Sequence, residues 1–107
     1  MNWASASGRA GQGALWGAET EDLNATLVRW EAGKGVAAHT NDEVDVVMTV
    51  LEGSGVVRID DDEQPVEPGM VIVIPKGTER EVRATTSLVY LNVHRRKRKL
   101  MPTMRRD

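Results

Sequence analysis

The chain has 107 residues, 40% hydrophobic and 28% charged, with a net charge of −2, no cysteine and no phenylalanine. That length fits one domain with one core, and the missing thiols exclude disulfides and cysteine-ligated metal. No apolar run approaches the roughly 20 residues that span a bilayer, and the opening MNWASASGRAGQG lacks an apolar signal core, so a cytoplasmic protein with no membrane partner is expected.

Residues 1–22 read as an irregular arm. Gly, Ala and Ser dominate it, no period of 2 or 3.6 emerges, and Trp3 and Trp16 are placed to pack it on the body. A strand exchanged with a second subunit is the alternative. Residues 23–30, LNATLVRW, alternate like a strand. After a Gly-rich turn, 36–39 is a short extended piece. Residues 44–51, VDVVMTVL, are nearly continuously apolar and rich in valine, which favours a buried strand. Gly53-Ser54-Gly55 turns the chain into a strand at 56–59. Asp60 to Glu63 is an acidic hairpin tip, read as a solvated turn rather than a cation site. A short strand at 64–66 precedes the turn at Pro68-Gly69. Residues 70–74, MVIVI, form a second buried strand that stops at Pro75. Residues 79–83 alternate charge around Val82, and 88–94, LVYLNVH, is the last strand.

About eight short strands with regularly spaced turn signals predict a β-sandwich or barrel. Two blocks of residues sharpen this. In the first, Gly33, His39, Asn41 and Gly53 fall at the spacing G-x5-H-x-H…G, with Asn41 in the place of the second histidine. In the second, Gly69, Pro75, Gly77 and Arg80 fall at G-x5-P-x-G-x2-H, with Arg80 in the place of the histidine and Ala84 in that of a closing Asn. On these blocks the chain resembles the cupin superfamily. The resemblance implies an all-β, single-domain jelly-roll β-barrel (a double-stranded β-helix) over residues 23–94, flanked by the arm and by a basic tail at 95–107. Gly53, Gly69 and Gly77 would take the unusual backbone angles of tight turns.

In metal-binding cupins the two histidines and an acid of the first motif, with the histidine of the second, surround a divalent metal. Here His39 is retained. The acid position falls on Asp45 counted forward from His39 and on Val46 counted back from Gly53; a bulge between His39 and Val46 would reconcile the two counts. Arg80 is the telling departure. A guanidinium stays protonated and cannot ligate a metal, so an inward Arg80 disfavours a cation and favours an anion or carboxylate. Glu43 or Asp45 would then pair with it from within the protein. An outward, solvated Arg80 is the alternative.

His39, Asn41, Glu43 and Asp45 are spaced by two, so an extended segment would put all four on one face. The candidate ligand-binding residues are therefore His39, Asn41, Glu43, Asp45 and Arg80. No metal cofactor is expected. If a divalent metal binds, the altered set would be His39, Glu43, Asp45 and His94, since two histidines and a carboxylate are a competent set. For His94 a hydrogen-bonded or surface imidazole is the plainer role.

Two functional readings follow. The first is a binding protein with a degenerate metal site, holding a polar or anionic small molecule in the barrel. The second is a metal-dependent enzyme, which the resemblance would make dioxygenase- or isomerase-like. A homodimer is expected from the resemblance and the apolar strands. Residues 94–107 carry seven of the 14 basic residues and one acid, against a body of net charge −8. No aromatic interleaves with these bases, and the acidic body would repel phosphates, so nucleic acid is not an expected partner. Contacts between the tail and the acidic face of its own or a neighbouring subunit are.

Overall fold

The computed structural model describes residues 2–97. Nine strands lie among them: β1 (Gly13–Glu19), β2 (Leu23–Trp30), β3 (Gly35–Thr40), β4 (Val46–Glu52), β5 (Gly55–Ile59), β6 (Asp62–Val66), β7 (Val71–Ile74), β8 (Glu79–Ala84) and β9 (Leu88–Arg95). They form two antiparallel sheets, one of order β1-β2-β9-β4-β7 and one of order β3-β8-β5-β6. No helix long and apolar enough to cross a membrane is present among the described residues. The fold is the all-β jelly roll that the resemblance implies, within the sandwich or barrel class that the turn spacing predicts.

Alternation builds the core. On the inner face of the five-stranded sheet, Val28, Val46, Met48, Val50, Ile74, Leu88 and Tyr90 are buried. Val57, Val66, Val82 and Ala84 meet them from the other sheet. With no phenylalanine available, the aromatic volume comes from Tyr90 and Trp30, and the Trp30 Nε1–H donates to the Tyr90 hydroxyl at 2.9 Å. That bond satisfies both polar tips of an otherwise apolar pair. In β6, Pro65 is tolerated because β6 is an edge strand.

Gly53 shows why the turn glycines are needed. Its φ is +76°, and a Cβ there would overlap the backbone carbonyl of Ser87. Only glycine lets the β4–β5 turn lie against the start of β9.

Residues 1–22 are not an irregular arm throughout. Residues 13–19 form β1, which pairs with β2 of the same chain, with a bulge between Ala14 and Trp16. The bulge shifts the phase, and the alanines and glycines blur what alternation remains, so no period of 2 survives in the sequence. Trp16 is half-buried, whereas Trp3 is 72% exposed and pins nothing.

The acidic hairpin tip is also more than a solvated turn. Asp60 has φ +51°, an angle that Asp tolerates better than most residues. Its N–H donates to Glu79 O at 2.7 Å, and its Oδ1 accepts from Glu79 N–H at 3.0 Å. The tip thereby fastens the β5–β6 hairpin to the start of β8.

The basic segment begins by folding onto its own body. Arg95 Nη2 donates to Glu43 O at 2.9 Å, Arg96 Nε lies 3.7 Å from Glu19, and Lys97 Nζ lies 3.7 Å from Glu43. The remainder of the predicted tail, 98–107, falls outside the described residues.

The outer face of the five-stranded sheet is apolar as well. Val93, Val47 and Val73 are in register across β9, β4 and β7. Val47, Val71 and Val73 are 40%, 60% and 60% exposed. This second apolar face explains why β4 reads as a continuous apolar run rather than an alternating one.

Candidate functional site

Strand β8 turns Arg80, Val82 and Ala84 inward and leaves Glu79 and Arg83 exposed. Arg80 is thus carried into the barrel by the same alternation that buries its valine neighbour. It is the buried charged residue among the described residues, 5% exposed. Neither its Nε nor its Nη2 has a hydrogen-bond partner among them. Desolvation pulls its pKa below the ordinary arginine value, yet an arginine remains a cation at physiological pH. An unmet positive charge therefore sits at one end of the interior.

His39 stands beside it. Strand β3 pairs with β8 so that His39 is directly opposite Arg80, and directly opposed residues share a sheet face. A register shift between Val36 and His39 sets this pairing. That shift lies before His39; between His39 and Val46, where the motif count would place a bulge, the chain is a loop at 41–45. The ring is exposed, with Nδ1 3.0 Å from Ala37 O, so His39 occupies the rim of the end that Arg80 closes.

The extended row of four does not form. The chain leaves β3 after Thr40 and re-enters a strand at Val46. Asn41 explains the break, because its Oδ1 accepts the backbone N–H of Glu43 at 2.8 Å and that of Val44 at 3.4 Å. This Asx-type turn competes with strand geometry. Asn41 O also accepts from Gly77 N–H at 2.7 Å, and Asp45 Oδ1 accepts from Lys76 N–H at 2.8 Å. Asn41 and Asp45 thus staple the two motif loops together. Glu43 is exposed and pairs with Lys97. The anticipated ion pair between Arg80 and Glu43 or Asp45 is absent among the described residues.

These residues do not fit a metal cage. No group of three or more His, Cys, Asp or Glu side chains positioned for an ion exists among the described residues. Val46, buried at the start of β4, holds the inward position that the count back from Gly53 assigns to the acid. His94 is half-buried, with Nδ1 2.7 Å from Arg95 O.

The facing sheet supplies a residue that neither motif contains. Asn92 lies between Thr26 on β2 and Met48 on β4, in phase with the buried Leu88 and Tyr90. Its Oδ1 is buried with no donor among the described residues. Beside it, Asn24 and His94 are in register, and Thr26 Oγ1 donates to Asn24 Oδ1 at 3.2 Å. The signal for Asn92 is present in LVYLNVH: an asparagine at an inward position of an apolar strand. Arg80 and Asn92 belong to the same end. Arg80 lies three residues from Gly77 and Asn92 three from Arg95, and both Gly77 and Arg95 bond to the 41–45 loop.

The fold is shared with known proteins. The structure of KdgF from Halomonas sp. superposes with TM-score 0.71 at 23% identity, over 76% of each chain. A cupin-2 domain containing protein from Shewanella frigidimarina gives TM-score 0.67 at 25% identity, over 80% of this chain and 85% of that one. Salicylate 1,2-dioxygenase from Pseudoaminobacter salicylatoxidans, with gentisate, gives TM-score 0.66 at 23% identity, over 69% of this chain and 20% of that one. No curated protein matches the chain in sequence. The cupin domain family matches residues 26–94, the span from β2 to β9 that carries both motif loops and the Arg80 end, and on that match the chain belongs to the cupin domain family.

Proposed function

We propose that this protein is a cupin-fold binding protein that holds a polar or anionic small molecule at the Arg80 end of the barrel, with no resident metal. The observation that carries the reading is the buried guanidinium of Arg80, whose Nε and Nη2 lack partners among the described residues. Burying a charge without a counter-charge costs several kcal/mol, and an anionic ligand would offset that cost. Arg80 would anchor the ligand and His39 would meet it at the rim. Asn41 and Asp45 would act through the loops they hold, and Glu43 from the same loop.

The competing reading is a metal-dependent enzyme, dioxygenase- or isomerase-like, using His39, Glu43, Asp45 and His94. The separation of those donors favours the binding reading. The test is elemental analysis of the purified protein together with mass spectrometry of co-purified small molecules. A co-purifying anion with metal far below one per chain is expected. Near-stoichiometric metal would overturn the proposal.

The proposal includes a homodimer. The exposed valine face supports it, because apolar patches of this kind on small domains mark contact surfaces, and a second copy presents the same self-complementary face.

A further inference from the structure

Where the two motif loops meet the end of β9, they bound an open cavity of about 390 Å³ lined by Glu43, Val44, Asp45, Lys76 and Arg95. That size falls within the roughly 300–1,000 Å³ of small-molecule sites. Four of its five residues are charged, and most of that charge is unmatched. Asp45 Oδ1 is held by the Lys76 N–H at 2.8 Å, and Arg95 Nη2 is held by Glu43 O at 2.9 Å. Each is thus tied to backbone and not to the opposite charge in the same cavity. Among the described residues, Lys76, Arg95 and Asp45 have no ion-pair partner. Glu43 is met by Lys97 at 3.7 Å. Two cations and one carboxylate therefore remain for an occupant.

We propose that this cavity is a second binding site, not lined by Arg80 or His39, for the zwitterionic head of an amino acid. The carboxylate of the ligand lies between Lys76 and Arg95, and its ammonium lies on Asp45. A simple anion gains from the two cations but is repelled by Asp45, and a simple cation meets the reverse. A zwitterion finds a partner at each end. Its ammonium is a set of three donors, and Asp45 keeps Oδ2 clear of the loop bond that occupies Oδ1. Asp45 and Arg95 are already tethered, so little further ordering is required on binding.

The test is an amide NMR titration of the isotopically labelled full chain at constant ionic strength. The probes are L-alanine, propionate, ethylamine and inorganic phosphate. Alanine should move the signals of Glu43, Asp45, Lys76 and Arg95 saturably. Propionate lacks the ammonium and ethylamine the carboxylate, so each should bind about fivefold more weakly, the upper worth of one exposed ion pair. Asp45→Asn keeps an oxygen for the Lys76 N–H and removes the charge, so it should bring alanine down to the affinity of propionate. Lys76→Met should weaken alanine and propionate together and should not weaken ethylamine. Melting curves of each variant separate lost binding from lost fold. Propionate or phosphate binding as tightly as alanine would overturn the zwitterion, as would an Asp45→Asn protein that keeps the advantage of alanine. No saturable shift at these four residues would overturn the site itself. Shifts at His39 and Arg80 alone would do the same and leave the function proposed above standing.

Discussion

His39 and Arg80 stand directly opposite each other on β3 and β8, one exposed to solvent and the other 5% exposed. The two residues that the motif spacing sets against histidines of metal-binding cupins thus share one sheet face. The binding function proposed for this end of the barrel rests on that pairing.

The first prediction is a gain in stability at the expense of binding. Replacing Arg80 by Met keeps the volume and removes the unpaired charge. Urea unfolding should show a stabilisation of roughly 1–4 kcal/mol, the range found when buried ionic groups give way to apolar ones. A clear loss of stability would mean that the guanidinium is paired in the folded protein.

Tyr90 gives a pH test free of overlap, because it is the chain's one tyrosine. Burial raises its pKa above the ordinary 10.0, and the bond from Trp30 opposes that rise. A raised folded value means that the unfolded chain ionises first. Stability is therefore full below pH 10 and is lost as pH climbs toward the folded value. Absorbance near the phenolate band should show ionisation displaced upward in the native protein relative to the protein in denaturant. Tyr90→Phe should abolish the signal and cost about 1 kcal/mol for the orphaned indole N–H. Coincident titrations in the two states would refute the assignment.

Two glycines with similar backbone angles should respond differently to alanine. Gly69 has φ +95° with open space where a Cβ would go, so Gly69→Ala should cost about 1–2 kcal/mol of backbone strain. Gly53 adds the collision with Ser87. Gly53→Ala should cost roughly 4 kcal/mol or more, in the range reserved for severe steric lesions. Denaturation midpoints that fall together for both variants would contradict the close approach of the β4–β5 turn to β9.

The loop staple is tested at Asp45. Asp45→Ala leaves the Lys76 N–H without its acceptor and should cost about 1–2 kcal/mol. Hydrogen exchange should speed up at Lys76 and Gly77 and remain unchanged at the β5–β6 hairpin. If metal were the true tenant of Asp45, added Fe(II), Mn(II), Ni(II) or Zn(II) would raise the wild-type melting temperature, and Asp45→Ala would lose that response.

Self-association through the valine face is tested by Val73→Lys. The residue is 60% exposed, so the fold should tolerate the change while sedimentation shifts from dimer to monomer. A dimer that persists at the same concentration places the contact elsewhere.

How much of this was legible in the residues varied with the physics of each segment. Strands β4, β7 and β9 declare themselves because their valine-rich runs are bounded by turn residues. An inward Arg80 was legible from its spacing to Gly69, Pro75 and Gly77, and in the fold it lies in phase with the buried Val82 and Ala84. The 39–45 segment has the same period but is not a strand throughout. Asn41 bonds to the backbone ahead of it, and that local bond outweighs the spacing. Strand β1 was hidden by its bulge. Asn92 lies outside both motifs, the second of which closes at Ala84, and it faces the Arg80 end from the opposite sheet. Facing across two sheets is a tertiary property that no local pattern encodes.

The contacts of Arg95, Arg96 and Lys97 have a consequence for kinetics. Glu19, Glu43 and Asp45 lie at the end of the barrel through which an anion would approach Arg80. Left bare, these carboxylates would repel an incoming carboxylate and slow its capture. Arg96 beside Glu19 and Lys97 beside Glu43 would offset that repulsion locally. Their removal would lower the association rate at low ionic strength and leave the dissociation rate alone, and the difference would vanish once salt shortens the screening length to a few ångströms.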